Sequence, residues 1–218
     1  ASVTNNAPAT FPLGTTTVTW KVTDGSGNTA TATQVVTVED KQKPTITAPA
    51  AKTVSADAGS CTASNVSLGT PTTGDNCSVA SVTNNAPTTF PLGTTTVTWK
   101  VTDGSGNTAT ATQVITVEDK QKPTITAPAA KTVSADAGNC TASNVSLGTP
   151  TTGDNCSVAS VTNNAPTTFP LGTTTVTWKV TDGSGNTATA TQVITVEDKQ
   201  NPTITAPARS EEHTSELQ

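Results

Sequence analysis

Four cysteines and a recurring set of acidic and amide side chains are the residues of this chain whose types and spacing can do chemistry. Cys61 and Cys77 lie 16 residues apart, and Cys140 and Cys156 repeat that spacing further along the chain. It is not the CxxC of redox or zinc-ribbon sites. The one histidine, His213, stands in an unrelated tail, so no zinc set can be completed. A disulfide within each repeat is the best reading of the residues. It closes a loop worth roughly 3 kcal/mol through the entropy of the unfolded chain. It also puts the protein in an oxidising compartment outside the cytoplasm. The competing reading is a pair of free, buried thiols in each repeat.

The acidic set recurs at the same interval as the cysteines. Asp103-Gly104-Ser105-Gly106-Asn107 has the look of a metal loop, yet Gly, Asn and Asp equally supply the backbone angles that turn a hairpin. A calcium ion at domain junctions is the functional alternative. If sandwiches are strung end to end, Glu39 and Asp40, and likewise Glu118 and Asp119, leave one unit close to the loops of the next. Those loops carry Asp75, Asp103 and Asn107, or Asp154, Asn155, Asp182 and Asn186. Hard oxygen ligands from both sides then bind the ion and stiffen the joint. Lys120 and Lys122 in the linker oppose this with positive charge. No other cofactor is expected.

Catalysis is not expected. General bases and nucleophiles of the usual kinds are missing once His213 is set aside and the cysteines pair. Glu118-Asp119 sits at a strand end leading into a linker, without a cleft around it. The formal net charge is -5. Such a chain has no electrostatic reason to bind nucleic acid or an anionic membrane, and no apolar run is long enough to insert in a bilayer.

These residues are positioned by an internal repeat, which organises everything else. Trp20, Trp99 and Trp178 recur at one fixed interval, and Phe11, Phe90 and Phe169 recur at the same one. Residues 43–121 and 122–200 differ only at Ser60 against Asn139. The reading is therefore a truncated repeat over 1–42, complete repeats over 43–121 and 122–200, and the first strand of a further repeat over 201–208. Residues 209–218, RSEEHTSELQ, break the pattern, resemble a translated sequencing adapter, and are set aside as an artefactual tail.

Within a repeat the stretch TFPLGTTTVTWKVTDGSGNTATATQVITVED alternates apolar and polar residues on either side of DGSGN, the pattern of a half-buried hairpin. Val97, Trp99 and Val101 share one face with Ala109, Ala111, Ile115 and Val117. Gln113 falls in the inward phase, which demands either a bulge or a buried, hydrogen-bonded amide. Trp20, Trp99, Trp178, Phe11, Phe90 and Phe169 are the expected core. Threonine is the dominant residue of the repeat, which suits the wet face of strands. About seven short strands per repeat and no helical period predict an all-β chain of tandem immunoglobulin-like antiparallel sandwiches, strung as beads on a rod. Residues 1–42, lacking the strands before the hairpin, are expected to be partly disordered or to pair with another chain.

PTITAP, DNCS, FPLGTTTVTW, TDGSGNTA and the closing VTVED together resemble the hyalin repeat, or HYR domain, over nearly all of residues 1 to 208. The resemblance implies an immunoglobulin-like extracellular module associated with adhesion, and near-identical threonine-rich copies are similar to the bacterial kind. Such repeats often carry two further cysteines. Ala48 and Ala111 (Ala127 and Ala190 in the next repeat) stand in their places, which the resemblance reads as support for pairing the remaining two. The implied function is a non-enzymatic stalk or fibre segment of a secreted or cell-surface protein that extends and positions other domains. The alternative is an adhesive module that itself binds glycan or protein. Neighbouring repeats, and other copies in a fibre, are the expected partners.

Overall fold

The computed structural model of the chain describes residues 1–207 and Arg209. The reading of the tail as an artefact, including His213, therefore falls almost wholly outside the described residues. Two compact units divide the chain, Ala1–Asp119 and Lys120–Gln218.

In the first unit β1 (Ser2–Asn5), β2 (Gly14–Thr23) and β3 (Thr29–Val38) belong to the truncated repeat. They are followed by β4 (Thr45–Thr47), β5 (Lys52–Ser55), β6 (Thr62–Ser64), β7 (Thr72–Gly74), β8 (Val79–Asn84), β9 (Thr89–Pro91), β10 (Gly93–Asp103) and β11 (Thr108–Glu118). The second unit repeats the last eight as β12 (Thr124–Thr126), β13 (Lys131–Ser134), β14 (Thr141–Ser143), β15 (Thr151–Gly153), β16 (Val158–Asn163), β17 (Thr168–Pro170), β18 (Gly172–Asp182) and β19 (Thr187–Glu197). No helix among the described residues is long and apolar enough to cross a membrane.

Each complete repeat is a sandwich. One layer is a four-stranded sheet in the order β5-β11-β10-β8, with β5 parallel to β11 and the other pairings antiparallel. The pairs β4-β7 and β6-β9 form the facing side. Strict alternation in β10 sends Val97, Trp99 and Val101 inward, and the opposite phase of β11 sends Ile115 and Val117 to meet them. Ala63 and Phe90 from the facing layer close the core, with Ile46, Val54, Val66 and Leu68 around it. Trp99 is 6% exposed, and Trp178, Phe90 and Phe169 are buried likewise.

Gln113 lies in this core at 2% exposure, with no bulge in the β10–β11 register around it. Its Nε2 donates to the carbonyls of Ala50 and Leu68, both at 2.9 Å, and its Oε1 accepts the Trp99 indole N–H at 3.2 Å. A buried amide costs little once both ends are satisfied. Gln113 thus ties the hairpin to the two loops that cross above it. Gln192 does the same with Ala129, Leu147 and Trp178.

The truncated repeat departs from expectation. Residues 1–42 form an ordered three-stranded sheet, β1-β2-β3, because β1 pairs along one edge of β2 and β3 along the other. Its inner face stays open. Residues 1–42 contain no counterpart of β4 to β7, so Trp20 is 40% exposed in an apolar trough with Val3, Val22, Ala30 and Ala32, and Phe11 is only half-buried. Neither is a core residue. At the other end residues 203–205 match β4 in sequence but form no strand, and Ile204 is 96% exposed. In a complete repeat this strand is held by β7.

Candidate functional site

The hairpin turn of each repeat builds an acidic end. Asp103 closes it. Its Oδ1 accepts the amides of Ser105 (2.9 Å) and Asn107 (2.8 Å), and its Oδ2 accepts the Asn107 side-chain amide at 2.8 Å. Gly106 adopts φ 89°, a conformation open to glycine at little cost. A Cβ on Gly104 would lie 2.8 Å from Ser78 Oγ, so a larger residue there would have to displace that hydroxyl. The bulge between Thr102 and Asp103 turns Asp103 inward, to 2% exposure.

Asp75 stands beside it. One oxygen, Oδ2, accepts the amides of Cys77 and Ser78, both at 2.9 Å. From the truncated repeat, Asp40 arrives just after β3. Asn107 Nδ2 donates to the Asp40 carbonyl at 3.0 Å and Asn76 Nδ2 to Asp40 Oδ1 at 3.4 Å. One carboxylate oxygen from each of Asp40, Asp75 and Asp103 lies within 4.8 Å of the others. Asp40 Oδ2 and Asp75 Oδ1 are buried without a hydrogen-bond partner. Two oxygens ligating one calcium ion at about 2.4 Å can be at most about 4.8 Å apart, so the three carboxylates fit a single cation.

Not every expected ligand joins them. Glu39 is exposed and pairs with Lys41 at 2.8 Å. The same pairing joins Lys199 and Glu197 at 3.1 Å. Glu118 is exposed, and its carbonyl accepts the Ala56 amide. Asp154 and Asp182 reproduce in the second unit the local bonds of Asp75 and Asp103, and Asp154 Oδ1 is again buried and unpartnered. Asn186 binds Asp182 as Asn107 binds Asp103. Asp119, at the position of Asp40 one period on, is buried. Asn76, the counterpart of the Asn155 expected at the next junction, joins this group through Asp40.

Burial opposes ionisation of Asp103 most strongly. The side-chain amide of Asn107 and the backbone amides of Asn107, Ser105 and Gly106 nevertheless outweigh it and hold the carboxyl below its ordinary value. Asp182 behaves alike. A depressed folded value means that this stabilisation is fully present above the unfolded value near about 4 and is lost as pH falls through the lower folded value. In urea titrations the midpoint of wild type is therefore expected to exceed that of Asp103→Asn by a constant margin above about pH 4. The margin closes below it.

The cysteines overturn the expected bridge within each repeat. Cys77 and Cys140 are free thiols, both exposed, whereas Cys61 and Cys156 are disulfide-bonded. Topology gives the reason. The Cys61 carbonyl accepts the Leu92 amide at 3.1 Å, just before β10 begins, while Val79, two residues after Cys77, pairs with Asp103, where β10 ends. Eleven residues of strand separate these points, about 36 Å at 3.3 Å per residue. A disulfide needs Cα atoms within about 7 Å. Desolvation first, and then Asp40, Asp75 and Asp103, hold the Cys77 thiol above its ordinary value.

This sandwich architecture, repeated in near-identical tandem copies with an acidic turn at one end of each, defines a tandem β-sandwich module. The chain belongs to the HYR domain family, matched over residues 39–117 and again over 118–196. It is 32% identical over 230 residues to hyalin of Strongylocentrotus purpuratus, covering 99% of this chain and 19% of that protein. It is 35% identical over 207 residues to hyalin of Lytechinus variegatus, covering 89% of this chain and 39% of that one. The chain thus spans well under half the length of these curated relatives. Both are animal proteins, so these matches do not carry the likeness to the bacterial kind. Among solved structures, Drosophila N-cadherin EC1-4 aligns with 10% identity and a TM-score of 0.41, over 86% of this chain and 59% of that one. Mouse cadherin-23 EC22-24 aligns with 15% identity and a TM-score of 0.36, over 84% and 74%.

Proposed function

We propose that the chain is a non-enzymatic stalk segment of an extracellular or cell-surface protein, whose repeats extend and position other domains. One observation carries this reading. Asp40, the residue that leaves the truncated repeat, is hydrogen-bonded into the turn end of the following repeat by Asn107 and Asn76. A joint that captures the departing chain limits bending, which is what a spacer needs. Calcium belongs to the same proposal. Asp40, Asp75 and Asp103 would hold the ion, and the two buried oxygens without a partner are what it would satisfy. When bound, it supplies charge neutralisation and fixes the joint.

The test separates spacer from adhesive. Beads coated with the Cys77→Ser, Cys140→Ser chain, in calcium, are expected to stay dispersed and to retain nothing from a glycan panel. Clustering of the beads, or retention of a glycan, would replace the stalk with an adhesive module.

A further inference from the structure

Each complete repeat carries one motif whose polar side chains serve neither the joint nor the core. Asn65-Val66-Ser67, and Asn144-Val145-Ser146 one period on, place an amide and a hydroxyl two residues apart, the acceptor pattern for an asparagine-linked glycan. The motif directly follows β6, or β14 in the second unit. Its residues alternate, so that Asn65 and Ser67 are exposed while Val66 and Leu68 pack against the core. Asn144 and Ser146 are exposed in the same way, with Val145 and Leu147 packed inward.

Main-chain bonds hold that presentation. Lys52 Nζ donates to the Ser67 carbonyl at 2.8 Å and Gln113 Nε2 to the Leu68 carbonyl at 2.9 Å, and Lys131 and Gln192 do the same for Ser146 and Leu147. Asn65 and Asn144 both adopt φ 52°, a left-handed conformation that asparagine tolerates. That backbone accounts for an asparagine at the position, but not for the exposed hydroxyl two residues on. The Asn65 amide donates to Ser64 Oγ at 3.4 Å and the Asn144 amide to Ser143 Oγ at 3.5 Å. Such long bonds are weak, and a glycan-bearing amide keeps one N–H to make them. The other matches to the pattern differ. Asn76-Cys77-Ser78 commits its amide to the joint, on Asp40 Oδ1 at 3.4 Å and Cys77 Sγ at 3.2 Å, and the Asn155 amide meets Cys156 Sγ at 3.3 Å. Asn139-Cys140-Thr141 occurs in one repeat alone, since Ser60 stands in the other.

We propose that Asn65 and Asn144 are acceptor sites for asparagine-linked glycans, one on each complete repeat. The donor is an oligosaccharide joined to a polyprenyl diphosphate, supplied together with its transferase by the secretory membrane. The side-chain amide nitrogen bonds to the anomeric carbon of the donor as the carbon–oxygen bond to the diphosphate breaks. The polyprenyl diphosphate leaves with the electron pair, and one amide proton passes to solvent. No oxidant or reductant enters. Glycosylation requires the extracellular placement proposed above, but neither the stalk role nor calcium, because Asp40, Asp75 and Asp103 take no part in it.

Secretion of the full chain from cultured animal cells behind a cleavable leader tests it, because the leader delivers a competent acceptor to the transferase wherever the natural protein resides. Wild type is expected to lose mass on treatment with peptide N-glycosidase, and peptide mapping after treatment in heavy-oxygen water to mark positions 65 and 144. Asn65→Gln removes one glycan, and Asn65→Gln with Asn144→Gln removes both. Ser67→Ala keeps Asn65 and its left-handed backbone yet is expected to lose the same glycan, whereas Ser67→Thr retains it. A secreted chain bare at both asparagines would overturn the proposal, as would glycans confined to Asn76, Asn139 or Asn155. A chain glycosylated here whose natural protein stays inside the cell would instead overturn the extracellular placement and leave the two acceptor sites supported.

Discussion

Trp99→Ala is expected to destabilise the repeat containing β4 to β11 by about 4 kcal/mol and to leave the second unit folded. Large-to-small changes of a buried tryptophan cost about 3–5 kcal/mol, because the cavity adds to the lost transfer energy. Here the indole also occupies Gln113 Oε1 at 3.2 Å in a site sealed from water. Its removal therefore orphans a buried acceptor at about 1–3 kcal/mol, which favours the upper half of the range. Trp99→Phe keeps most of the ring and loses only the N–H, so its cost should approach that of the orphaned oxygen alone. Trp20→Ala is the internal comparison: the same residue of the same motif, in a repeat whose facing layer is missing, should cost less than about 1 kcal/mol. Hydrogen exchange resolved by peptide is the appropriate reading, because it follows each folded unit separately. Thr108–Glu118 should lose protection in Trp99→Ala while Thr187–Glu197 keeps it. Equal losses from Trp99→Ala and Trp20→Ala would show that the facing layer contributes nothing to the tryptophan's role.

The contrast between the two tryptophans shows how far residue pattern reaches. Alternation in β10 and β11 announced the hairpin and the inward phase of Val97, Trp99, Ile115 and Gln113, because a period of two is local. It could not say that Gln113 would find the carbonyls of Ala50 and Leu68, which lie 63 and 45 residues away. Short strands escaped for a different reason. β7 lies inside GTPTTGDN and β9 inside TTFPL, each three residues long and rich in threonine or proline. Only pairing with β4 and β6 makes them strands.

The cysteines mark the sharper limit. A 16-residue spacing is compatible with a bridge, yet the chain between Cys61 and Cys77 runs the whole length of the sandwich. Sequence separation carries no direction. The acidic end lay between these extremes. Asp75, Asp103 and Asn107 were legible as loop residues. Asp40 joins them from the preceding repeat, whereas Glu39 beside it turns to Lys41. Neighbours in a strand exit face opposite ways, so only one of the pair could enter the joint.

That joint is where the account stands or falls. A cation bound by the folded chain alone stabilises it by about 2.7 kcal/mol at a hundredfold excess over its dissociation constant. For a unit of this size the gain is a rise in melting temperature of about 10 °C. Asp75→Asn is the informative variant, because it removes the charge at the unpartnered Oδ1 and leaves an oxygen able to accept the amides of Cys77 and Ser78. The measurement is a calcium titration of the chelator-treated chain by calorimetry, followed by thermal unfolding with and without the ion. The account predicts saturable binding, a higher melting temperature, and loss of binding at the first joint in Asp75→Asn. A chain that takes up no calcium, and melts identically in calcium and in chelator, would contradict it.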